Sequence, residues 1–124
     1  MRSRALVAID PRPGVSLDRW VNLISSLCDF VAGFKVGLPF MFSYGVSGLR
    51  ALRGSCDRFL IADFKLADID HVMVLTVSHV IGYVDGVIAH AFIGFKGGLE
   101  GLKEYLDGLG VKLILIISMS HAGS

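Results

Sequence analysis

The sequence predicts a single α/β domain, residues 1–124, built from repeated strand–helix units around a parallel sheet. Three observations carry that reading. Short apolar runs alternate with longer stretches of helical periodicity. The runs are continuously apolar, as in strands covered on both faces. A polar residue stands at or near the C-terminal end of each run.

The runs are Ala5 to Ile9, Phe30 to Phe34, Phe59 to Ala62, Val87 to Ala91 and Lys112 to Ile117. Between the first two, Leu17, Trp20, Val21, Ile24 and Leu27 recur on one helical face, with Ser16 placed to cap the helix. The stretch Val72 to Val84 is apolar nearly all round, so it is expected to pack on strands at one side and on another subunit at the other. A later helix aligns Leu99, Leu102, Leu106 and Leu109, and Gly108 or Gly110 can end it. Trp20 and the eight phenylalanines read as core.

Composition excludes several classes. Hydrophobic residues make up 53% and charged residues 19%, so the chain is not disordered. Twelve basic against 11 acidic side chains give a net charge of +1, with no basic stripe calling for a nucleic acid. The apolar segments after Arg4 and at Leu113 to Ile117 are too short for a signal-peptide core or a membrane span. Cys28 and Cys56 form no CxxC or ligand cluster and read as free thiols of a reducing cytosol. The chain thus reads as soluble and cytoplasmic. A mean hydropathy of +0.65 is high for a self-contained soluble domain, and implies apolar surface covered by an oligomer or by further sequence.

The polar residues Asp10, Lys35, Asp63, His90 and Ser120 recur at a regular spacing. In βα barrels the C-terminal strand ends carry the active site. An open doubly wound sheet would place function there too, but no GxGxxG turn follows the first strand. That leans the reading towards a barrel.

Asp63-Phe64-Lys65-Leu66-Ala67-Asp68-Ile69 is the sharpest local signal. Two carboxylates and an ammonium this close to an apolar run are costly unless they pair. Strand alternation sends Asp63 and Lys65 to one side, where Lys35 can join them. At about 4 Å and an effective dielectric near 20, each neighbouring pair interacts by roughly 4 kcal/mol before desolvation. A structural salt-bridge network would use the same residues, and composition alone does not separate the two readings.

The Asp-x-Lys-x-x-Asp pattern resembles that of the orotidine monophosphate decarboxylase family. Ile9-Asp10, Phe34-Lys35-Val36-Gly37 with Pro39, and Ser120-His121 with Gly123 match it in the same order. The resemblance implies a (β/α)8 TIM barrel of that type, here incomplete with about five β/α units. It implies decarboxylation of orotidine 5'-phosphate to uridine 5'-phosphate in pyrimidine synthesis, without metal or other cofactor. Lys65 would protonate C6, and Asp63 would face the substrate carboxylate. Lys35 and Asp10 would contact the ribose, Ser120 the pyrimidine, and Asp68 and Ile69 the active site of a dimer partner. Lys35 separates these enzymes from magnesium-dependent relatives acting on sugar phosphates, which carry an acidic residue there.

The sequence departs from the pattern at Asp70 and Val72, where the family has proline and threonine, and at Ala122, where many members have proline. The later strands, with the family's phosphate-gripping loop and arginine, lie beyond what this chain matches. A C-terminal half, for instance on another chain, would supply them, and a non-catalytic part-barrel is the contrasting reading. His71, His79, His90 and His121 read as packing, interface or loop residues, without metal-ligand spacing. Gly94-Phe95-Lys96-Gly97-Gly98 could cradle a phosphate but reads first as a flexible loop.

Overall fold

The strands sort their side chains by alternation. In the second strand Phe34 and Val36 are buried among the helices, while Lys35 points to the opposite face and stays partly exposed. In the third, Leu60 and Ala62 join the same core, and Ile61 and Asp63 take the Lys35 side. A computed structural model of the chain, describing residues 3–124, shows the resulting architecture.

Five strands, β1 (Leu6–Ile9), β2 (Gly33–Val36), β3 (Phe59–Leu66), β4 (Gly86–His90) and β5 (Lys112–Ile116), form one sheet in the order β1-β2-β3-β4-β5, every neighbouring pair parallel. Helices α1 (Leu17–Leu27), α2 (Leu38–Ser55), α3 (Asp70–Ser78) and α4 (Glu100–Asp107) connect them in turn. A sheet wound in sequence order with a helix after each strand is the barrel arrangement; a doubly wound sheet would reverse its order at a switch point. The fold is therefore a part-barrel of four βα units and a fifth strand. Among the described residues no helix is long and apolar enough to cross a membrane.

Several expectations shift. The second strand begins at Gly33, because Phe30 is exposed and lies in the preceding turn. A side chain at Gly33 would run into the Phe59 backbone, so glycine lets β2 approach β3 closely. Helix α2 was not legible as a helix: its apolar pattern is broken where Gly45 takes φ 65 and kinks it. Helix α3 ends at Ser78, well short of Val84. Ser16 stands at the N-cap of α1 but makes no side-chain capping bond. Gly108 caps α4, which leaves Leu109 beyond the helix and exposed. The phenylalanines are not all core, since Phe30, Phe42, Phe92 and Phe95 are exposed. Trp20 is partly buried against the core.

The free-thiol reading is wrong in this structure. Cys28 and Cys56 form a disulfide with Cα atoms 5.8 Å apart. Each caps the C-terminus of a helix, α1 and α2, whose following strands are neighbours in the sheet. Sequence spacing hid this, because the topology makes positions one βα unit apart adjacent in space. The pairing also removes the free thiols from which a reducing compartment had been argued.

At the same N-terminal end of the sheet, Arg53 from α2 ties three carbonyl or carboxylate groups together. It donates to Asp85 Oδ2, to the Tyr83 carbonyl at 3.1 Å and to the Arg58 carbonyl at 2.7 Å. Asp85 also accepts the Leu60 N–H, and Arg58 donates to the Cys28 carbonyl, both at 2.9 Å or less. This end is fastened by cross-links. The opposite end holds Lys35, Asp63 and Lys65.

Candidate active site

At the C-terminal end of β3 the ladder with β4 breaks register between Ala62 and Leu66. Lys65 there takes φ 47, a left-handed backbone that costs a side-chain-bearing residue on the order of 1 kcal/mol or more. Regular alternation would have sent Asp63 and Lys65 to one side; the structure brings them together through this bulge instead. Lys65 Nζ donates to Asp63 Oδ2 at 2.8 Å. Lys35 Nζ lies 3.3 Å from the same oxygen. The predicted row exists, centred on one carboxylate oxygen shared by two ammonium groups.

Asp63 is 8% exposed, and its Oδ1 is buried with no hydrogen-bond partner among the described residues. The lysine side chains are 37% and 43% exposed. Water therefore screens the lysines, and neither pair reaches the full energy of a dry contact. The arrangement holds a desolvated anion in place with two cations that still reach a cleft.

Cavities flank the row on both sides. One, of about 280 Å³, is lined by Asp10, Lys35, Gly37, Leu38, Pro39, Asp63, Phe64 and Lys65. The other, of about 200 Å³, brings Ile88, Ile116, Met119 and Ser120 to the far side of the same three residues. So Asp10, Lys35, Asp63, Lys65 and Ser120, drawn from four strand ends, converge as expected. Asp68 and Ile69 do not line these cavities: Asp68 accepts its neighbour's N–H, from Ile69, at 2.8 Å, and both side chains are exposed. His90 stacks edge-on against Phe92. Gly94 to Gly98 form a tight π-type turn leading into α4.

Ile88, Ile116 and Met119 were not foreseen as lining residues. Ile88 and Ile116 follow from strand alternation once the strand bounds are known. Met119 lies in the irregular segment after β5, where no period applies. Among the described residues no cluster of three or more His, Cys, Asp or Glu is arranged to hold a metal ion.

A protein-family model described as Orotidine 5'-phosphate decarboxylase / HUMPS family matches residues 3–124. The chain belongs to this family. The orotidine 5'-phosphate decarboxylase of Aeropyrum pernix is 42% identical over 123 residues, which take in 98% of this chain and 50% of that protein. The crystal structure of orotidine 5'-monophosphate decarboxylase from Sulfolobus solfataricus superposes with a TM-score of 0.83 at 37% identity, over 98% of this chain and 55% of that one. The Methanocaldococcus jannaschii enzyme, complexed with the inhibitor BMP, gives a TM-score of 0.87 at 28% identity, over 99% and 56%. The chain thus spans about half the length of the decarboxylases it matches. The part-barrel corresponds to about half of the orotidine 5'-phosphate decarboxylase barrel.

Proposed function

We propose that this chain carries the charged half of an orotidine 5'-phosphate decarboxylase site, acting on the nucleotide in pyrimidine synthesis. The observation that supports it is the Lys35–Asp63–Lys65 row, with one buried carboxylate between two ammonium groups at the sheet mouth. In the reaction the bond between C6 and the carboxylate carbon breaks, CO2 leaves, and the electron pair stays on C6. Lys65 Nζ gives that carbon a proton, and the resulting amine regains one from solvent. The fixed ammonium stabilises the developing negative charge without reorganising, which is the general source of such rate gains. The Asp63 carboxylate, whose Oδ1 has no donor among the described residues, makes a nearby substrate carboxylate unfavourable, and loss of CO2 relieves that repulsion.

The two cavities divide the ligand. Asp10 and Lys35 accept and donate to sugar hydroxyls on one side. Ser120, with Ile88, Ile116 and Met119, holds a flat ring on the other. The row has two cations to one carboxylate, a charge balance that disfavours a divalent metal and so the magnesium-dependent relatives. Exposed Ile69 and Leu75, on and before α3, suit a homodimer in which Asp68 and Ile69 reach the partner's site. A cytoplasmic setting goes with a nucleotide substrate. The disulfide is compatible with it because Cys56 is buried and thiol exchange needs access.

The test is loss of orotidine 5'-phosphate absorbance with the purified chain, with and without EDTA. Turnover that survives EDTA and vanishes in Lys65→Ala supports the proposal, while EDTA-sensitive turnover points to a metal-dependent relative. A chain that neither turns over nor binds uridine 5'-monophosphate is one that needs the later strands, or a non-catalytic part-barrel. That second reading draws on Val72, which lacks the hydroxyl the family pattern has at this position.

A further inference from the structure

Part of the ring-side cavity is lined by a segment that no regular element holds. Strand β5 ends at Ile116, and the irregular segment after it brings Ser118, Met119 and Ser120 to the cavity. Burial does little to fix this segment: Met119 is half-buried, while Ser118 and residues 120–124 are exposed. Ala122 stands where many family members have proline, and Gly123 follows it, so the backbone there carries no ring restraint. A segment left free to move would have to be ordered when a ligand binds.

Hydrogen bonds of Ser124 close the segment instead. The Met119 N–H donates to Ser124 Oγ at 2.6 Å, and Ser124 Oγ lies 3.2 Å from Ser118 Oγ. The Ser124 N–H donates to the His121 carbonyl at 3.2 Å. Proton count fixes the direction of the bond between the two hydroxyls. Ser118 Oγ donates its only proton to the Met119 carbonyl at 3.4 Å, so the Ser124 hydroxyl donates to Ser118. A closed circuit results, from the Met119 N–H to Ser124, on to Ser118 and back to the Met119 carbonyl, in which each hydroxyl both donates and accepts. Both backbone polar groups of Met119 are thereby held, and its carbonyl belongs to the peptide plane that leads into Ser120.

We propose that Ser124 is a positioning residue, whose hydroxyl clasps the segment after β5 and sets Met119 and Ser120 against the flat ring in the cavity. The assignment rests on the nucleotide reading. Ser124 lines neither cavity beside the row, so it acts through its two neighbours on the segment. It also lies outside the motifs that carry the family resemblance. The clasp does by hydrogen bonding what a proline at position 122 would do by restricting the backbone.

The test uses the whole chain as wild type, Ser124→Ala, Ser124→Thr and Ser124→Ala/Ala122→Pro, with two readouts. Amide-proton exchange by NMR, without ligand, reads the clasp at Met119. Calorimetric titration with uridine 5'-monophosphate and with ribose 5-phosphate reads its use, because the ratio of the two affinities isolates the ring. Ser124→Ala should speed exchange of the Met119 amide and lower the preference for the nucleotide about fivefold, the size of ordering one short segment. Affinity for ribose 5-phosphate should stay unchanged. Ser124→Thr keeps the hydroxyl and should restore both readouts. Ala122→Pro should restore the preference without the Met119 protection; among the described residues the Ala122 N–H makes no backbone hydrogen bond that proline would remove. Unchanged Met119 exchange in Ser124→Ala overturns the clasp. Faster exchange with an unchanged nucleotide preference overturns the positioning role and leaves a local turn. A wild type without that preference, whose Met119 exchange still answers to Ser124, rejects the nucleotide reading while the clasp stands.

Discussion

Reducing the Cys28–Cys56 disulfide should lower the stability of this chain substantially and leave its site geometry in place. The two cysteines are 28 residues apart, so the cross-link closes a loop containing all of β2 and α2. In the chain-entropy treatment a loop of that length raises the free energy of the unfolded state by about 3.5 kcal/mol. Reduced thiols remain small apolar groups, so the folded state loses little packing. For a chain of this size the change corresponds to a fall in Tm on the order of 10 °C. Because Cys56 is buried, the reduced form is best made by unfolding in denaturant with dithiothreitol and refolding without oxidant. Thermal melts followed by circular dichroism then compare it with the oxidised protein. Mass spectrometry, reading the two-hydrogen difference, reports the redox state. Coincident melts of verified oxidised and reduced samples would refute the argument, and two titratable thiols in the folded protein as purified would restore the free-thiol reading.

Other perturbations act at named places. Lys65→Gly should be more stable than Lys65→Ala by about 1 kcal/mol in urea unfolding, since both lack the ammonium but only glycine accepts φ 47 without strain. Lys35→Met/Lys65→Met should cost about 3–5 kcal/mol by the same assay, more than Asp63→Asn, because it strands a buried carboxylate whereas the lysines can be hydrated. Arg53→Ala should cost about 2–4 kcal/mol by thermal denaturation, leaving the Tyr83 and Arg58 carbonyls without this donor and Asp85 with only the Leu60 N–H, and should not alter nucleotide affinity. Tyr44→Phe should cost about 1 kcal/mol in urea unfolding, because it removes the hydroxyl that fastens the loop before α1 to α2.

The sequence made the strand ends legible because each apolar run is followed by a polar residue, and a sheet wound in order must bring those ends together. Asp10, Lys35, Asp63, Lys65 and Ser120 were found that way. What was missed depends on distances that period analysis does not measure. Gly45 interrupts the pattern of α2, so its two halves read as unrelated segments. The disulfide joins helix ends that only the topology makes neighbours. The bulge at Lys65 leaves no mark in composition, since lysine is not a residue that favours a left-handed backbone.

The two ends of the sheet carry different tasks, and this explains where the strain sits. The N-terminal end is fastened by the disulfide, Arg53 and Arg58. The C-terminal end keeps a left-handed lysine and a buried carboxylate oxygen with no donor among the described residues. Both are unfavourable where they stand, and both belong to the row that meets the cleft. Cross-links formed at the far end offset that cost without touching the ligand. Destabilising changes at Arg53 and at Lys65 share no partner and lie at opposite ends of the sheet. Their unfolding free energies should therefore add, and only the second should change chemistry.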